Sequence, residues 1–339
     1  MESRRKLQWG VLGLAKIARL RLIPAIQRSR NGRVIAVASR SDTRAGEVAS
    51  ALRVPRRYGS YQALLDDREV EAVYVPLPNS LHREWTIRAA EAGKHVLCEK
   101  PLACNAEDAA AMVAACRANG VQLMEAFMYR FHPGVLEALR LIQAGAVGRV
   151  RLVKAAFSFV APYPGDIRWR TDLGGGALLD SGCYGVDVCR AILGDPAWVR
   201  ADAVFGANGV IETVVGVLRY EGGALGVIDG SIGMAPQRSI EVVGTEGRLA
   251  LRFTPRPGWG TPRLEVHSER GVQSKRLGRA NHYRSMVEGF ADAVLQKLPP
   301  PLPPEEAVGN IRVLDALREA LLTRGETMVA PGVAIKVDH

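Results

Sequence analysis

The chain has 339 residues, 47% of them apolar and 24% charged, and a formal net charge of +10. That length suits two domains with sizeable cores, the composition excludes extended disorder, and no apolar run approaches the roughly 18 residues of a membrane span. The charge sits on scattered arginines, lysine supplying only 8 of the 45 basic residues; with no basic run or aromatic platform, no nucleic-acid partner is expected, while the positive field favours a polyanionic cofactor or substrate. The five cysteines (98, 104, 116, 183 and 189) are odd in number and lack C-x-x-C spacing. They read as small buried hydrophobes rather than a disulfide framework or zinc site, so no metal is expected and the chain reads as cytoplasmic.

Residues 7–13, "LQWGVLG", read as a buried strand; the basic residues before it resemble a signal peptide, but the apolar run is short and broken by glycine. Residues 14–30 are helical in pattern, with Pro24 restarting the helix in its first turn. Strands are expected over 33–39, 71–79, 94–100 and 121–127, and helices over 42–52, after Ser80, and over 106–118 behind the capping Asn105. Leu81, Trp85 and Ala89 share one face of the helix after Ser80. Most of these strands are apolar throughout, as in a parallel sheet covered on both faces.

Beyond residue 127 the pattern changes. A helix over about 133–144 leads to a long strand at 149–160 and a helix near 181–193. Strand pairs follow, with hairpin signals at Glu221-Gly222-Gly223 and Thr245-Glu246-Gly247. Helices over about 281–297 and 305–323 flank the stiff connector 298–304. The fold class is therefore α/β: a doubly wound parallel sheet over 1–127, then an α+β domain over 128–339 with a large, mainly antiparallel sheet, its final helices free to pack back on the first domain.

In doubly wound sheets, ligands lie beyond the carboxyl ends of the strands, and three unusual features sit at such ends. The first strand runs into Gly13-Leu14-Ala15-Lys16-Ile17-Ala18, a relaxed G-x-A-x-x-A form of the dinucleotide turn. Gly13 permits the tight turn, Ala15 lets backbone approach a pyrophosphate, Ala18 allows close helix packing, and the helix amides face the phosphates. The second strand ends in Ser39-Arg40-Ser41, where readers of NAD usually place an acid. A guanidinium suits the 2′-phosphate of NADP, so NADP is expected over NAD, although Asp42 could still reach the ribose. The third feature is Glu99-Lys100-Pro101. Lys100 can donate a proton or polarise a carbonyl, Glu99 can pair with a cation, and Pro101 fixes the turn and can follow a cis peptide; from spacing alone, a routine surface ion pair explains these residues equally well. In "GGGALLDSGCYGVD" (174–187), the glycines permit close backbone approach, and Asp180 and Tyr184 lie about one helical turn apart. An acid beside a phenol suits acid–base work on an alcohol or carbonyl, but taken alone the pair reads better as a capping acid and a core tyrosine.

Together "GVLGLAKIA" (10–18), "VASRS" (37–41), "VYVPLPNSLH" (73–82), "AGKHVLCEKPLA" (92–103), "LMEAFMYRFHP" (123–133) and the 174–187 segment resemble the Gfo/Idh/MocA oxidoreductase superfamily. "LMEAFMYRFHP" is similar to the dimeric dihydrodiol dehydrogenase and NADP-dependent D-xylose dehydrogenase branch; "VYVPLPNSLH" and Trp169-Arg170 are similar to glucose–fructose oxidoreductase. The resemblance implies a Rossmann nucleotide-binding domain, a substrate domain with an open-faced sheet through which copies pair as dimers or tetramers, and a sugar, polyol or cyclic-diol substrate. It places Gly13, Ala15, Lys16 and Ile17 at the pyrophosphate, Ser39 and Arg40 at the 2′-phosphate, and Pro78, Asn79 and His82 beside the cofactor. Glu99, Lys100 and Pro101 fall at the nicotinamide ribose and amide, Arg130, Trp169 and Arg170 at the cofactor–substrate boundary, and Asp180 and Tyr184 at the substrate, where many relatives carry His in place of Tyr184. The implied activity is NADP(H)-dependent hydride transfer at a secondary alcohol or carbonyl, with Lys100 polarising the reacting oxygen and Tyr184, oriented by Asp180, exchanging its proton; Lys100 as sole acid–base is the rival. Other activities on this architecture are a non-catalytic NADP-binding regulator and a glycoside hydrolase that recycles NAD.

Overall fold

The structure, a computed structural model, describes residues 5–206, 208–253, 262–269, 271–278 and 280–330. These form two compact units. One takes the described residues through Glu137, with Asp172–Gly174 and Gly278–Ala307; the other takes Ala138–Thr171, Gly175–Leu277 and the described residues from Val308 on.

In the first unit β1 (Leu7–Leu12), β2 (Gly32–Ala38), β3 (Arg56–Tyr58), β4 (Ala72–Val75), β5 (His95–Cys98) and β6 (Leu123–Glu125) form a parallel sheet of order β3-β2-β1-β4-β5-β6. The central strands are buried on both faces: Trp9, Val11, Tyr74, Val75, Leu97 and Cys98 are all fully inaccessible. That is why their sequences are continuous apolar runs rather than alternating ones. The chain order reverses beside β1, where β2 lies on one side and β4 on the other, giving the switch point at which such sheets bind ligands.

The helices of this unit are α1 (Ile23–Gln27), α2 (Asp42–Leu52), α3 (Tyr61–Leu65), α4 (His82–Glu91) and α5 (Ala106–Ala118). A π turn, Ala18–Leu22, precedes α1, and Pro24 follows inside its first turn. Proline cannot donate to the helical ladder, and the ladder changes step just ahead of it. Asn105 caps α5 by accepting from the Asp108 amide at 2.8 Å, as the sequence leads one to expect. Ser80 does not cap α4. Pro78 is extended, a 3₁₀ turn over Asn79–Leu81 follows, and Leu81 stands at the N-cap with no side-chain bond. The short β3 and α3 were not anticipated.

The second unit begins within α6 (Pro133–Gln143). β7 (Val150–Val160), α7 (Cys183–Leu193), β8 (Trp198–Phe205), β9 (Ile211–Arg219), β10 (Leu225–Ser231), β11 (Gly233–Gly244), β12 (Gly247–Arg252), β13 (Arg263–Ser268) and β14 (Gly271–Arg276) lead to α8 (His282–Gln296), α9 (Pro304–Thr323) and β15 (Thr327–Met328). Among the described residues the sheet has nine strands, ordered β14-β13-β12-β11-β7-β10-β9-β8-β15. β7 and β10 pair parallel and the other pairings are antiparallel. Both expected hairpins form, β9–β10 and β11–β12; β8, β13, β14 and β15 were not anticipated. α7 and α9 cover one face: Gly185 lies against Ile228, and Gly216 against Leu317. Among the described residues the opposite face is open, and along β9 Val214 and Leu218 are buried while Val215 and Val217 are 46% and 38% exposed. α8 belongs to the first unit, where Phe290 meets the fully buried Trp9 at 5.5 Å between ring centroids.

Candidate active site

The carboxyl ends of β1, β2, β4 and β5 carry most of the residues singled out from the sequence. Gly13 follows β1 with φ +109°, and its amide donates to the Ala38 carbonyl at 3.0 Å. A Cβ there would lie 2.8 Å from Leu77 Cδ2, so both conformation and space require glycine. Ala15 and Ile17 are half-buried, Lys16 is exposed, and the chain is helical from Lys16. This small-residue cradle fits a pyrophosphate: it offers helix amides and no acidic side chain.

At the end of β2, the Ser39 hydroxyl accepts from the Ser41 amide, and the Ser41 hydroxyl caps α2 at the Arg44 amide. Arg40 is exposed. Its guanidinium lies by the Tyr61 phenol, whose pKa burial raises and Arg40 partly restores. Asp42, the acid that could have signalled NAD, lies 3.6 Å from Arg57 Nε. The charges beyond β2 therefore fit a 2′-phosphate.

β4 and β5 end side by side, and buried polar groups fasten the two ends. Glu99 N donates to the Val75 carbonyl at 3.1 Å. The Glu99 carboxylate accepts from the Tyr74 hydroxyl and from the Lys100 amide. Tyr74 is fully inaccessible, and burial together with the Glu99 charge holds its pKa well above the usual phenol value. The Lys100–Pro101 peptide is cis, and Lys100 is half-buried. Just beyond, the Glu125 carboxylate accepts from the Leu102 amide at 2.7 Å.

His82 is fully buried, its Nδ1 3.0 Å from the Pro101 carbonyl oxygen and its Nε2 2.9 Å from that of Leu77. Its ring sits between the two strand ends, and in the neutral form it donates to one of these carbonyls and lies against the other. Burial lowers its pKa against the opposing pull of the backbone carbonyls. Asn79 Nδ2 donates to the Gly174 carbonyl at 2.8 Å, while Pro78 supplies the extended link into the 3₁₀ turn. Arg130 is half-buried on the 3₁₀ turn Met128–Phe131.

The second unit carries the rest. Trp169 ends a 3₁₀ turn, its indole N–H donating to the Ala161 carbonyl and its ring edge-on to Tyr163. Arg170 follows, exposed. The glycine run closes onto this turn: Gly175 N donates to Arg170 O and Gly176 N to Arg168 O, both at 2.9 Å. A Cβ on Gly175 would lie 2.5 Å from the Arg168 oxygen, so this glycine serves a loop-to-loop approach. Tyr184 is 8% exposed and stacks on Phe157 at 5.1 Å.

Asp180 lies in the π turn Leu178–Gly182 that leads into α7, and its carboxylate accepts from Arg168 Nε at 2.9 Å. Arg168 Nη1 also grips both Asp166 oxygens at 3.0 Å. The Asp180 charge, and then that of Asp166, raises the Arg168 pKa despite burial. Arg168, Asp166 and Tyr74 went unrecognised in the sequence. An acid two residues before an arginine is a commonplace spacing, and a tyrosine within an apolar strand reads as core.

Two family models match in succession: an oxidoreductase family with an NAD-binding Rossmann fold over residues 7–127, and a GFO/IDH/MocA C-terminal domain over 135–250. The chain is 39% identical over 336 residues to a D-xylose 1-dehydrogenase (NADP(+)) of Haloferax volcanii, covering 98% of this chain and 100% of the other. It is 37% identical over 253 residues to a trans-1,2-dihydrobenzene-1,2-diol dehydrogenase of Danio rerio, covering 72% and 74%. Among solved structures, a 3-ketoreductase from Actinomadura kijaniata in complex with NADP and TDP-benzene superposes with a TM-score of 0.87 at 32% identity, covering 94% of this chain and 98% of the other.

Proposed function

The chain belongs to the GFO/IDH/MocA oxidoreductase family, and from that premise we propose that it is an NADP(H)-dependent dehydrogenase or reductase acting on a secondary alcohol, or the matching carbonyl, of a sugar, polyol or cyclic diol. The observation that carries this reading is the placement of the Gly13 cradle, Arg40 and Lys100 at carboxyl ends on either side of the switch point. Gly13, Ala15, Lys16 and Ile17 hold the pyrophosphate, Ser39 and Arg40 the 2′-phosphate, Pro78 and Asn79 flank the cofactor, and Glu99, Lys100 and Pro101 meet the nicotinamide ribose and amide, with Arg130, Trp169 and Arg170 at the boundary with substrate. His82 acts by filling the space between the Leu77 and Pro101 carbonyls. The bound nicotinamide exchanges hydride with the substrate carbon.

The chain's own task is to align the substrate and manage one proton. Lys100 hydrogen-bonds the reacting oxygen. Glu99, held by Tyr74, keeps the segment that carries Lys100 in place. Tyr184, its ring set by Phe157, takes or returns the hydroxyl proton, and Asp180, anchored by Arg168, orients it toward substrate. We assign the enzyme to the cytoplasm, a reading supported by free thiols at all five cysteines. We also assign it a homo-oligomer paired through the open face of the second sheet, where Val215, Val217 and Leu225 are exposed.

The test is a reduction screen with NADP⁺, and NAD⁺ in parallel, over aldoses, inositols and cyclic diols, followed by two variants on the best substrate. Lys100→Met and Tyr184→Phe are each expected to lower kcat about 100-fold or more. Nearly full kcat in Tyr184→Phe, with loss in Lys100→Met, would leave Lys100 as the sole acid–base. Sugar release from an aryl glycoside without net change in nicotinamide absorbance would overturn the dehydrogenase reading.

A further inference from the structure

Asp42 poses a problem for an NADP site. It is the first residue of α2, two places after Arg40, beyond the same strand end, and 62% of its side chain is exposed. An unscreened carboxylate there would repel a 2′-phosphate and attract the bare ribose hydroxyls of NAD. At ordinary ionic strength the Debye length is about 10 Å, so solvent alone does not remove the effect.

The neighbouring strand addresses that charge. β3 is three residues long, Arg56-Arg57-Tyr58, and pairs parallel with β2, placing Arg57 opposite Val37. Alternate side chains of a strand point to opposite faces. Arg56 and Tyr58 both bind Asp67, at 2.9 Å from Nη1 to Oδ2 and 2.9 Å from the hydroxyl to Oδ2, which anchors one face of β3. Arg57 leaves by the other face and reaches α2. It lies over Gly46, where a Cβ would meet its Nη1 at 3.0 Å and its Cδ and Cζ at 3.3 Å, and its Nε comes to 3.6 Å from Asp42 Oδ1. Gly46 and Asp42 are four residues apart, so Arg57 runs along one helical face from the glycine to the acid. Glycine within a helix costs about 1 kcal/mol relative to alanine, and the seat for Arg57 is a physical reason for it here.

We infer that Arg57 is a specificity-determining positioning residue: by neutralising Asp42 it converts a strand end that would favour NAD into one that accepts NADP. The inference rests on the NADP reading above. Arg57 acts through Asp42 rather than by touching the phosphate, and the two roles differ in a double-mutant cycle.

The probes are adenosine 2′,5′-bisphosphate, which carries the 2′-phosphate, and 5′-AMP, which lacks it; their dissociation constants are measured by calorimetry, so no substrate is needed. Arg57→Ala should weaken bisphosphate binding about three- to fivefold and leave 5′-AMP binding unchanged or tighter. Arg57→Lys should retain the wild-type preference. In an Asp42→Asn background, Arg57→Ala should have little further effect. Loss of the same factor in that background would overturn the inference, because Arg57 would then contact the phosphate itself; so would an Arg57→Ala variant that still binds the bisphosphate as wild type does. A wild-type protein that does not prefer the bisphosphate over 5′-AMP would overturn the NADP reading and the inference with it.

Discussion

Gly13 illustrates how one residue commits the chain to a ligand geometry. Its φ of +109° and the Leu77 side chain 2.8 Å from a hypothetical Cβ act independently. Gly13→Ala is therefore expected to destabilise the fold by about 1–2 kcal/mol and to weaken either dinucleotide more than tenfold. Chemical denaturation together with dinucleotide titration checks both effects; a stable variant that binds normally would show the turn to be more tolerant than its geometry implies. His82 shows the opposite relation between sequence and site. Its position in "PNSLH" pointed to the cofactor's surroundings, yet its ring is enclosed, with its two nitrogens against the Leu77 and Pro101 carbonyls.

At the scale of elements, the ends of β4 and β5 behave as one fastening, and its strength should depend on pH. Burial depresses the pKa of His82, and that of His95 and His132, below the ordinary histidine value. The unfolded chain therefore binds more protons than the folded one once pH falls below about 6.5. These groups contribute no penalty well above that pH, and stability is lost as pH drops through and below about 6.5. Thermal midpoints across that range should decline, and His82→Gln, less stable at pH 7.5, should show a shallower slope. A flat profile in the wild-type protein would contradict this. Element boundaries were legible where a local rule dominates: Asn105 places α5, and Gly-containing turns place both hairpins. They were illegible where packing decides. β3 has only Arg-Arg-Tyr, too short and polar to show a strand period, and exists because β2 offers it an edge. Ser80 has the chemistry of a cap but falls inside a 3₁₀ turn set by Pro78. Nothing in the spacing of Asp166, Arg168 and Asp180 announces that one guanidinium joins two carboxylates.

For the whole molecule, the open face of the second unit's sheet is the feature that most needs a covering surface. Val204, Val215, Val217, Leu225 and Trp198 are 37–61% exposed, and a cavity of about 460 Å³ opens on this sheet among Lys154, Asp229, Arg238, Glu241 and Arg252. Proteins that remain monomeric seldom leave such apolar area in water. Light scattering should give a mass at least twice that of the 36.7 kDa chain, and Val215→Lys with Val217→Lys should lower it while leaving dinucleotide binding intact; a monomeric wild-type protein would refute the pairing. The contact of Trp9 with Phe290 bears on how the chain is made. Arg30 reaches Asp292 through Nη1 at 3.0 Å, and Asn31 donates to the Glu288 carbonyl, so α8 closes over the first strands. At bacterial and eukaryotic synthesis rates of about 5–20 residues per second, roughly 15–55 s pass between the emergence of the first strand and that of its covering helix. Throughout that interval the indole of the nascent chain lacks the Phe290 ring that meets it in the finished fold.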